Sequence, residues 1–239
     1  MSKLLRRPAS SNPIHDVTPE NAGWRYVGFE VHALKDGETL RAETGAREVC
    51  IVMLTGRADI VAGVAECGVV GGRKDVFEDS PWSVYVPGGS HYHIRAVDDC
   101  DVAICSSPAM GERPARVITP EEVGQETRGQ GTNVRYVRNI LPDTSDIATS
   151  LLVVEVITPG GHWSSYPPHK HDTDDFPNET YLEETYYHRL RRGSGFAVQR
   201  VYTEDGSLDE TMAVNHRDVV LVPKGFHPVG APHGFDLYY

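Results

Sequence analysis

The chain has 239 residues, of which 39% are hydrophobic and 24% are charged, and its formal net charge is −11. This composition excludes a disordered chain, because it supplies enough apolar side chain for a core. The negative charge argues against nucleic acid or an anionic membrane as a partner, since both bind positively charged surfaces.

The N-terminal segment MSKLLRRPASSN lacks the apolar stretch of a signal peptide, and no run of residues is long enough to span a membrane. The four cysteines form no CxxC pair, and we interpret them as free thiols of a reducing compartment. They are Cys50, Cys67, Cys100 and Cys105. We therefore predict a cytoplasmic protein.

Short runs of β-branched and aromatic residues follow one another along the chain, each closed by Gly, Pro or Asp, as is typical of strands. In chain order they are EVCIVMLTG (48–56), WSVYVPGG (82–89), DVAICSS (101–107), SLLVVEVITPGG (150–161), ETYYHRL (184–190), GFAVQRVYT (195–203) and DVVLVPKG (218–225). Only ITPEEVGQETRG (118–129) has a helical pattern, and a weak one. The whole predicts an all-β fold, sandwich or barrel. The final FDLYY is also strand-like, so we expect the natural chain to continue past Tyr239.

Two parts of the chain repeat each other. VPGGSH (86–91) and VPKGFH (222–227) share Val, Pro, Gly and His at an offset of 136 residues, and the same offset places Glu48 on Glu184. We interpret this as an internal duplication that yields two β domains of similar build. The predicted domains are residues 1–125 and 126–239.

The second copy alone carries the insertion HKHDTDDF ahead of its glutamate. His169 and His171 are two residues apart, so both side chains can face one side of a strand. Glu184 and His227 would complete a set of three imidazoles and one carboxylate, which suits zinc, manganese, iron or nickel. The alternative is a solvated acidic loop that happens to contain two histidines.

Other residues of ligand type compete for these roles. Glu183 precedes Glu184, but the repeat alignment with Glu48 selects Glu184 and turns Glu183 to the opposite side. The alignment also interprets His91 and His93 of the first copy as a remnant or a core contact, so the first copy is predicted to be structural. The remaining candidates are interpreted as loop, turn or supporting residues: Asp172, Asp174, Asp175, His162 and His233.

The spacing of these residues resembles the cupin pattern, PG…HxH…E…G followed by PxGxxH. In this chain it comprises Pro159-Gly160, His169, His171, Glu184, Gly193, Pro223, Gly225 and His227. The separation of HxH from Glu is longer than in the general pattern, because TDDFPNET is inserted there. The resemblance implies a bicupin, two tandem cupin barrels of the double-stranded β-helix or jelly-roll type.

A more specific resemblance covers nearly the whole chain. YPPHKHD, LEETYYHRL, GFAVQRVYT and VPKGFHPVGAPHGFDLYY closely resemble the 5-deoxy-glucuronate isomerases of bacterial myo-inositol catabolism, and more remotely the 4-deoxy-L-threo-5-hexosulose-uronate ketol-isomerases of pectin breakdown. The resemblance implies a metal-free N-terminal cupin domain and a catalytic C-terminal one. It also implies a divalent metal, zinc as first choice, held by His169, His171, Glu184 and His227.

The implied reaction converts 5-deoxy-D-glucuronate to 5-dehydro-2-deoxy-D-gluconate, an aldose–ketose isomerisation that a metal assists by polarising the carbonyl. Tyr186 and His188 are the candidates for the general base, and Glu183 is less favoured by alternation. Arg200 is the preferred cation for the substrate carboxylate, because a charge within an apolar strand usually has a partner. The other cations considered are Lys170, Arg189, Arg191, Arg192 and Lys224.

Three alternatives stay open at this point. A cupin with three histidines and one glutamate also fits an iron-dependent dioxygenase, and an isomerase could act on a different deoxy-uronate. A sugar-binding or regulatory cupin without catalysis is the third. For all of them we predict a homo-oligomer, since open strand edges invite pairing.

Overall fold

The computed structural model describes residues 2–239, and strands make up most of its regular structure. The first eleven strands are β1 Leu5–Arg6, β2 His15–Val17, β3 Gly28–Leu34, β4 Thr39–Glu43, β5 Arg47–Thr55, β6 Arg57–Ala62, β7 Ala65–Gly71, β8 Ser83–Val86, β9 His91–Ala96, β10 Cys100–Pro108 and β11 Arg116–Ile118. The next eleven are β12 Gly124–Arg128, β13 Arg135–Leu141, β14 Val153–Thr158, β15 Trp163–Ser164, β16 Glu184–Tyr187, β17 Arg189–Leu190, β18 Phe196–Tyr202, β19 Asp209–Asn215, β20 Val219–Val222, β21 Val229–Gly230 and β22 Leu237–Tyr238. The α-helix Pro19–Ala22 and a 3₁₀ turn at Gly131–Asn133 complete the elements. The predicted all-β class is confirmed.

The helix that the weak pattern at 118–129 predicts does not form. The chain makes one turn after Ile118 and then enters strand β12. The Glu122 carboxylate accepts a hydrogen bond from the Thr119 N–H at 3.0 Å, which is the start signal of a helix. Gly124 follows after a single turn, and one turn without an apolar face to bury does not propagate.

The chain folds as two compact units. The first unit comprises Ala9–Gln125 and Arg138–Val154, and the second comprises the segment up to Pro8 together with Glu126–Val137 and Glu155–Tyr239. One change of unit lies at Gln125, next to the predicted domain limit. Two segments belong to a unit that their place in the sequence does not indicate, so the limits 1–125 and 126–239 stay a prediction.

The first unit is built on strand β5, which lies between β8 and β10 in a six-stranded sheet of order β11-β8-β5-β10-β3-β2. A second sheet has the order β4-β9-β6-β7. Apolar side chains of both sheets form one buried cluster that includes Ile51, Ile60, Val84, Ile94 and Val102. All four cysteines lie in this unit with free thiols.

In the second unit, strands β1, β20 and β16 form one antiparallel sheet, and β15, β21, β18 and β19 form another. Strand β20 is buried along its whole length and is paired with β16, so that Glu184 lies opposite Val222. The short pairing of β15 with β21 places Ser164 opposite Val229. These two pairings bring three distant segments together near His227. Within residues 2–239, no helix is long and apolar enough to cross a membrane.

Candidate metal centre

Three of the four predicted ligands lie in one cluster. The ligand nitrogens of His169, His171 and His227 are all within 4.8 Å of one another. The ring centroids of His169 and His227 are 4.7 Å apart, and those of His169 and His171 are 5.1 Å apart. His227 is buried, His171 is partly exposed, and His169 lies at the exposed rim. The cluster therefore has one open side through which a small molecule could reach it.

Glu184, the fourth predicted ligand, joins the cluster from the start of strand β16. Its Oε1 atom is 3.7 Å from His171 Nε2 and 3.5 Å from His227 Nε2. These separations are too long for hydrogen bonds. They are close to the distance of about 3 to 3.5 Å between neighbouring ligands of one ion with bonds of about 2.0–2.2 Å.

Two of the atoms that could bind an ion are buried and make no hydrogen bond within residues 2–239. Within the described residues, Glu184 Oε1 and His227 Nε2 have no hydrogen-bond partner. Buried polar atoms normally find one, so such an atom calls for an explanation. An ion bound between them would satisfy both, and the donor set of imidazoles and a carboxylate therefore fits a divalent metal.

The turn after strand β20 fixes the orientation of His227. Its Nδ1 is 2.9 Å from the Gly225 carbonyl oxygen, so Nδ1 carries the hydrogen and the lone pair of Nε2 is left to bind a metal. Gly225 has φ +91°, and a Cβ there would come within 2.5 Å of the Tyr202 carbonyl oxygen. The glycine of the VPxGxH pattern is therefore required by the backbone.

The acidic insertion organises the loop that carries the other two histidines. The Asp172 carboxylate accepts a hydrogen bond from the Gly225 N–H, which ties the loop to the turn before His227. Glu179 accepts from the Thr173 N–H at 3.0 Å and pairs with Lys170 at 3.3 Å. The Asp174 carboxylate accepts from the Tyr181 N–H at 2.9 Å. Here the acids hold the loop backbone, as the sequence interpretation expected of Asp172 and Asp174.

The protonation of His169 suits a ligand. Desolvation lowers the pKa of His169 to about 4 although part of the residue is exposed, and the neighbouring His227 acts in the same direction. The imidazole is therefore neutral near pH 7, which is the form that binds metals.

Tyr186 and His188 extend inward from the cluster along strand β16 and the residue after it. The ring centroids of Tyr186 and His227 are 5.6 Å apart, and those of Tyr186 and His188 are 6.1 Å apart. His188 Nε2 lies 2.9 Å from Gln199 Oε1. Burial lowers the pKa of His188 to about 4, and burial raises the pKa of Tyr186 well above its usual range. Both side chains are therefore neutral near pH 7.

Tyr239 is a member of this group that sequence reasoning missed. Its ring stacks on Tyr186 with centroids 4.8 Å apart, and its hydroxyl is hydrogen-bonded to Ser164. Its backbone pairs with Val156. The only sequence signal was the alternation in FDLYY, which indicates a strand but not its neighbours.

Arg200 is not brought to the centre. It is exposed on strand β18 and pairs with Asp209 through two hydrogen bonds of 2.8 and 2.7 Å, while its guanidinium lies 4.3 Å from the Tyr202 ring centroid. The buried neighbour Gln199 points to the opposite face, where His188 is. The apolar flanks that drew attention to Arg200 belong to the other side of the strand.

The remaining sequence candidates lie outside the group of donors. His162 Nδ1 is 2.9 Å from the Val134 carbonyl oxygen, and His233 is exposed. Glu183 is buried beside Glu184. In the first unit, Glu48 is fully buried and its carboxylate is occupied by hydrogen bonds from Tyr85, Thr149, Ser150 and Leu151.

An all-β chain with this histidine and glutamate arrangement belongs to the cupin-type folds. The oxalate decarboxylase of Lactobacillus farciminis has the same fold, with a TM-score of 0.67 and 13% identity over 100% of this chain and 85% of that one. The model of the KduI/IolB family matches residues 3–239, and the chain belongs to that family.

Similar proteins extend over the full chain. A protein of Geobacillus kaustophilus named 5-deoxy-glucuronate isomerase is 55% identical over 100% of this chain and 88% of its own length. A Bacillus subtilis 168 protein of the same name is 48% identical over 100% of this chain and 91% of its own. The crystal structure of an IolB-like protein from Salmonella typhimurium LT2 has a TM-score of 0.96 and 50% identity, covering 99% of this chain and 90% of that one.

Proposed function

We propose that this protein is a metal-dependent isomerase that converts 5-deoxy-D-glucuronate to 5-dehydro-2-deoxy-D-gluconate in myo-inositol catabolism. Relatives that carry the name 5-deoxy-glucuronate isomerase share 44% to 55% identity with it over its full length. The observation that carries the proposal is the convergence of Glu184 Oε1 and three imidazoles beside the buried phenol of Tyr186.

His169, His171, His227 and Glu184 would hold the metal. Zinc is the first choice, because three nitrogens and one carboxylate oxygen form a common zinc ligand set, and manganese, iron and nickel are the other choices. A divalent ion bound there supplies a Lewis acid that polarises the sugar carbonyl. The hydrogen bond from His227 Nδ1 to Gly225 keeps the ligand nitrogen in place without a change of tautomer.

The isomerisation moves one hydrogen from C2 to C1 and one proton from the C2 hydroxyl to the C1 oxygen. Tyr186 Oη is the group that we assign to proton transfer between the two oxygens, because the Tyr186 ring lies next to that of His227, with centroids 5.6 Å apart. His188 lies behind Tyr186 and Tyr239 stacks on it, so both position the phenol. The surrounding burial keeps water from competing for the proton.

Proton NMR of 5-deoxy-D-glucuronate with purified protein tests the reaction. We expect the 2-deoxy-5-keto acid to form with metal-loaded protein, to stop forming after chelation and to return with added metal. Absence of product from metal-loaded protein would contradict the substrate assignment. Oxygen uptake in the same reaction, with iron bound, would instead support the dioxygenase alternative. The same assay with a related deoxy-uronate tests the alternative that the isomerase acts on a different deoxy-uronate.

Two further proposals concern the location and the oligomeric state of the protein. We propose that the protein acts in the cytoplasm, since its four cysteines are free thiols. We also propose that it forms a homo-oligomer, which light scattering of the purified protein would test.

A further inference from the structure

The substrate proposed above carries a carboxylate, and a protein of net charge −11 needs a local cation to hold it. Several cations near the site motifs are already paired with acids. Lys170 pairs with Glu179, Arg191 with Asp236 and Arg200 with Asp209. An arginine whose charge is already neutralised by a carboxylate gains little from a second one.

Arg135 is in a different situation. It begins strand β13 directly after Val134, and its Nη1 donates to the carbonyl oxygens of Asn133 at 3.1 Å and Tyr166 at 3.2 Å. Both acceptors are uncharged backbone groups. Across residues 2–239 no carboxylate pairs with this guanidinium, so its Nε and Nη2 donors are available.

The Arg135 guanidinium packs closely against the backbone at Gly129. Gly129 has φ +82°, and a Cβ there would come within 2.8 Å of Arg135 Nη1. The glycine therefore makes room for the guanidinium. The two carbonyl contacts of Arg135 hold Nη1 in place and leave the Nε–Nη2 edge of the planar guanidinium free. Such an edge can bind a carboxylate with two hydrogen bonds.

Arg135 also lies beside the candidate metal centre. Its partner Tyr166 is three residues before His169, and the adjacent Ser165 has its Oγ 3.4 Å from Tyr186 Oη. The charge of Arg135 also acts on Tyr239, where it opposes the rise that burial causes in the pKa of the phenol. A six-carbon uronate bound by its aldehyde end at the metal ligands must place its carboxylate away from them, towards a cation set back from the centre.

We propose that Arg135 binds the carboxylate of the sugar-acid substrate through its free guanidinium edge and so selects a uronate over a neutral sugar. This assignment rests on the proposed isomerase function. It makes Arg135 a residue that determines specificity rather than one that moves the proton.

The test compares Arg135→Met and Arg135→Lys with the parent protein on two substrates, 5-deoxy-D-glucuronate and the neutral 5-deoxy-D-glucose. For Arg135→Met we expect kcat/KM on the uronate to fall by about 10- to 100-fold, the loss of a hydrogen-bonded charge pair. We expect the value on the neutral sugar to change by less than about twofold, because that sugar makes no such pair. Arg135→Lys keeps the charge but not the fork, and should recover part of the activity on the uronate.

Arg200→Met is the matched control, since it removes an exposed arginine that is paired with Asp209. It should leave the ratio between the two substrates unchanged, and all variants should keep the parent's metal content. An equal loss on both substrates in Arg135→Met would show a structural role and overturn the proposal, as would full activity on the uronate.

Failure of the isomerase function gives a different result. In that case the parent protein does not convert the uronate, and calorimetric binding of 5-deoxy-D-glucuronate decides the role of Arg135. Binding by the parent that weakens by about 10-fold or more in Arg135→Met supports the carboxylate site without the reaction. Equal binding by both proteins, or no binding by the parent, overturns it.

Discussion

His227 shows at the scale of one residue how the fold orients a candidate ligand atom. The Gly225 carbonyl engages Nδ1 at 2.9 Å, so Nε2 faces Glu184 as the free nitrogen. Neither Nε2 nor Glu184 Oε1 has a hydrogen-bond partner among the residues described. Leaving two buried polar atoms unsatisfied costs roughly 1–3 kcal/mol each. A fold retains such a cost where a ligand removes it.

Tyr186→Phe isolates the proton carrier. We expect kcat for 5-deoxy-D-glucuronate to fall by about 10²- to 10⁴-fold, because the variant loses the only group assigned to move a proton between the sugar oxygens. The ring stays, and with it the stacking on Tyr239 and the contact with His227. The NMR assay and a metal analysis of the same sample measure both properties, and the metal content should not change.

Tyr136→Phe is the control for this variant, since Tyr136 is exposed on strand β13 and its loss of a hydroxyl should not affect the rate. If Tyr186→Phe retains the parental rate, the assignment is wrong. His188 would then be the next candidate for the proton transfer, although burial lowers its pKa to about 4 and makes it a weak base.

At the scale of elements, the two units use the same glutamate position for different purposes. In both, the strand with the glutamate pairs with the strand that leads into VPxGxH: β5 with β8, and β16 with β20. In the second unit Glu184 faces imidazoles. In the first unit, Glu48 accepts hydrogen bonds from a segment one hundred residues later in the chain, and these bonds lower the pKa of its carboxyl despite its burial.

Glu48→Gln should destabilise the first unit. The carboxylate accepts the backbone N–H groups of Thr149 at 2.9 Å and of Ser150 and Leu151 at 2.7 Å, and the Tyr85 hydroxyl at 2.8 Å. A carboxamide would present its own N–H groups to these donors. We expect a loss of about 2 to 4 kcal/mol in the free energy of unfolding, measured with urea.

Glu43→Gln is the matched control, because Glu43 is exposed at the end of strand β4. It should change the free energy of unfolding by less than about 0.5 kcal/mol. Equal stability of the Glu48→Gln variant and the parent would contradict the anchoring role of this carboxylate. Metal content should be the same in all three proteins.

Sequence patterns found the strands because alternation and closing Gly or Pro are local properties. The candidate ligands could also be selected from the sequence, since HxH, a strand glutamate and VPxGxH each have a recognisable local spacing, and their role as metal ligands stays a prediction. Arg135 and Tyr239 carry no such signal, because Arg135 contacts Tyr166 and Tyr239 contacts Tyr186 only through tertiary packing of segments distant in the chain. Arg200 lies away from the candidate ligands for a related reason: apolar flanking residues identify a strand but not which of its faces holds the site.

The sequence also could not predict which segments belong to the unit that is more distant along the chain. Residues Arg138–Val154 belong to the first unit, and their hydrogen bonds to it include those to Glu48, which is about one hundred positions away. A repeat offset aligns positions within two copies, but it says nothing about linker segments that have no counterpart. The predicted helix at 118–129 was lost because one capped turn had no apolar face to extend it.

At the scale of the whole molecule, the charge of −11 bears on how the proposed substrate and metal would be held. A divalent cation is attracted by this field, whereas an anionic sugar is repelled and depends on a local cation. The proposed divalent metal and Arg135 would together carry three positive charges, of which the Glu184 carboxylate offsets one. A protein of this composition can therefore accept a uronate at one place while its remaining surface repels it.

Metal should stabilise the folded chain by mass action, because the ligands converge only in the folded state. At a free zinc concentration of one hundred times Kd the gain is about 2.7 kcal/mol. For a chain of this size that corresponds to a rise in Tm of roughly 5–10 °C. Thermal unfolding of chelated and zinc-loaded protein measures the shift. Glu184→Ala should abolish it, and Asp174→Asn should retain it, since the loop bond to Tyr181 needs only an acceptor oxygen. Equal Tm values with and without metal in the parent would show that these four side chains hold no ion.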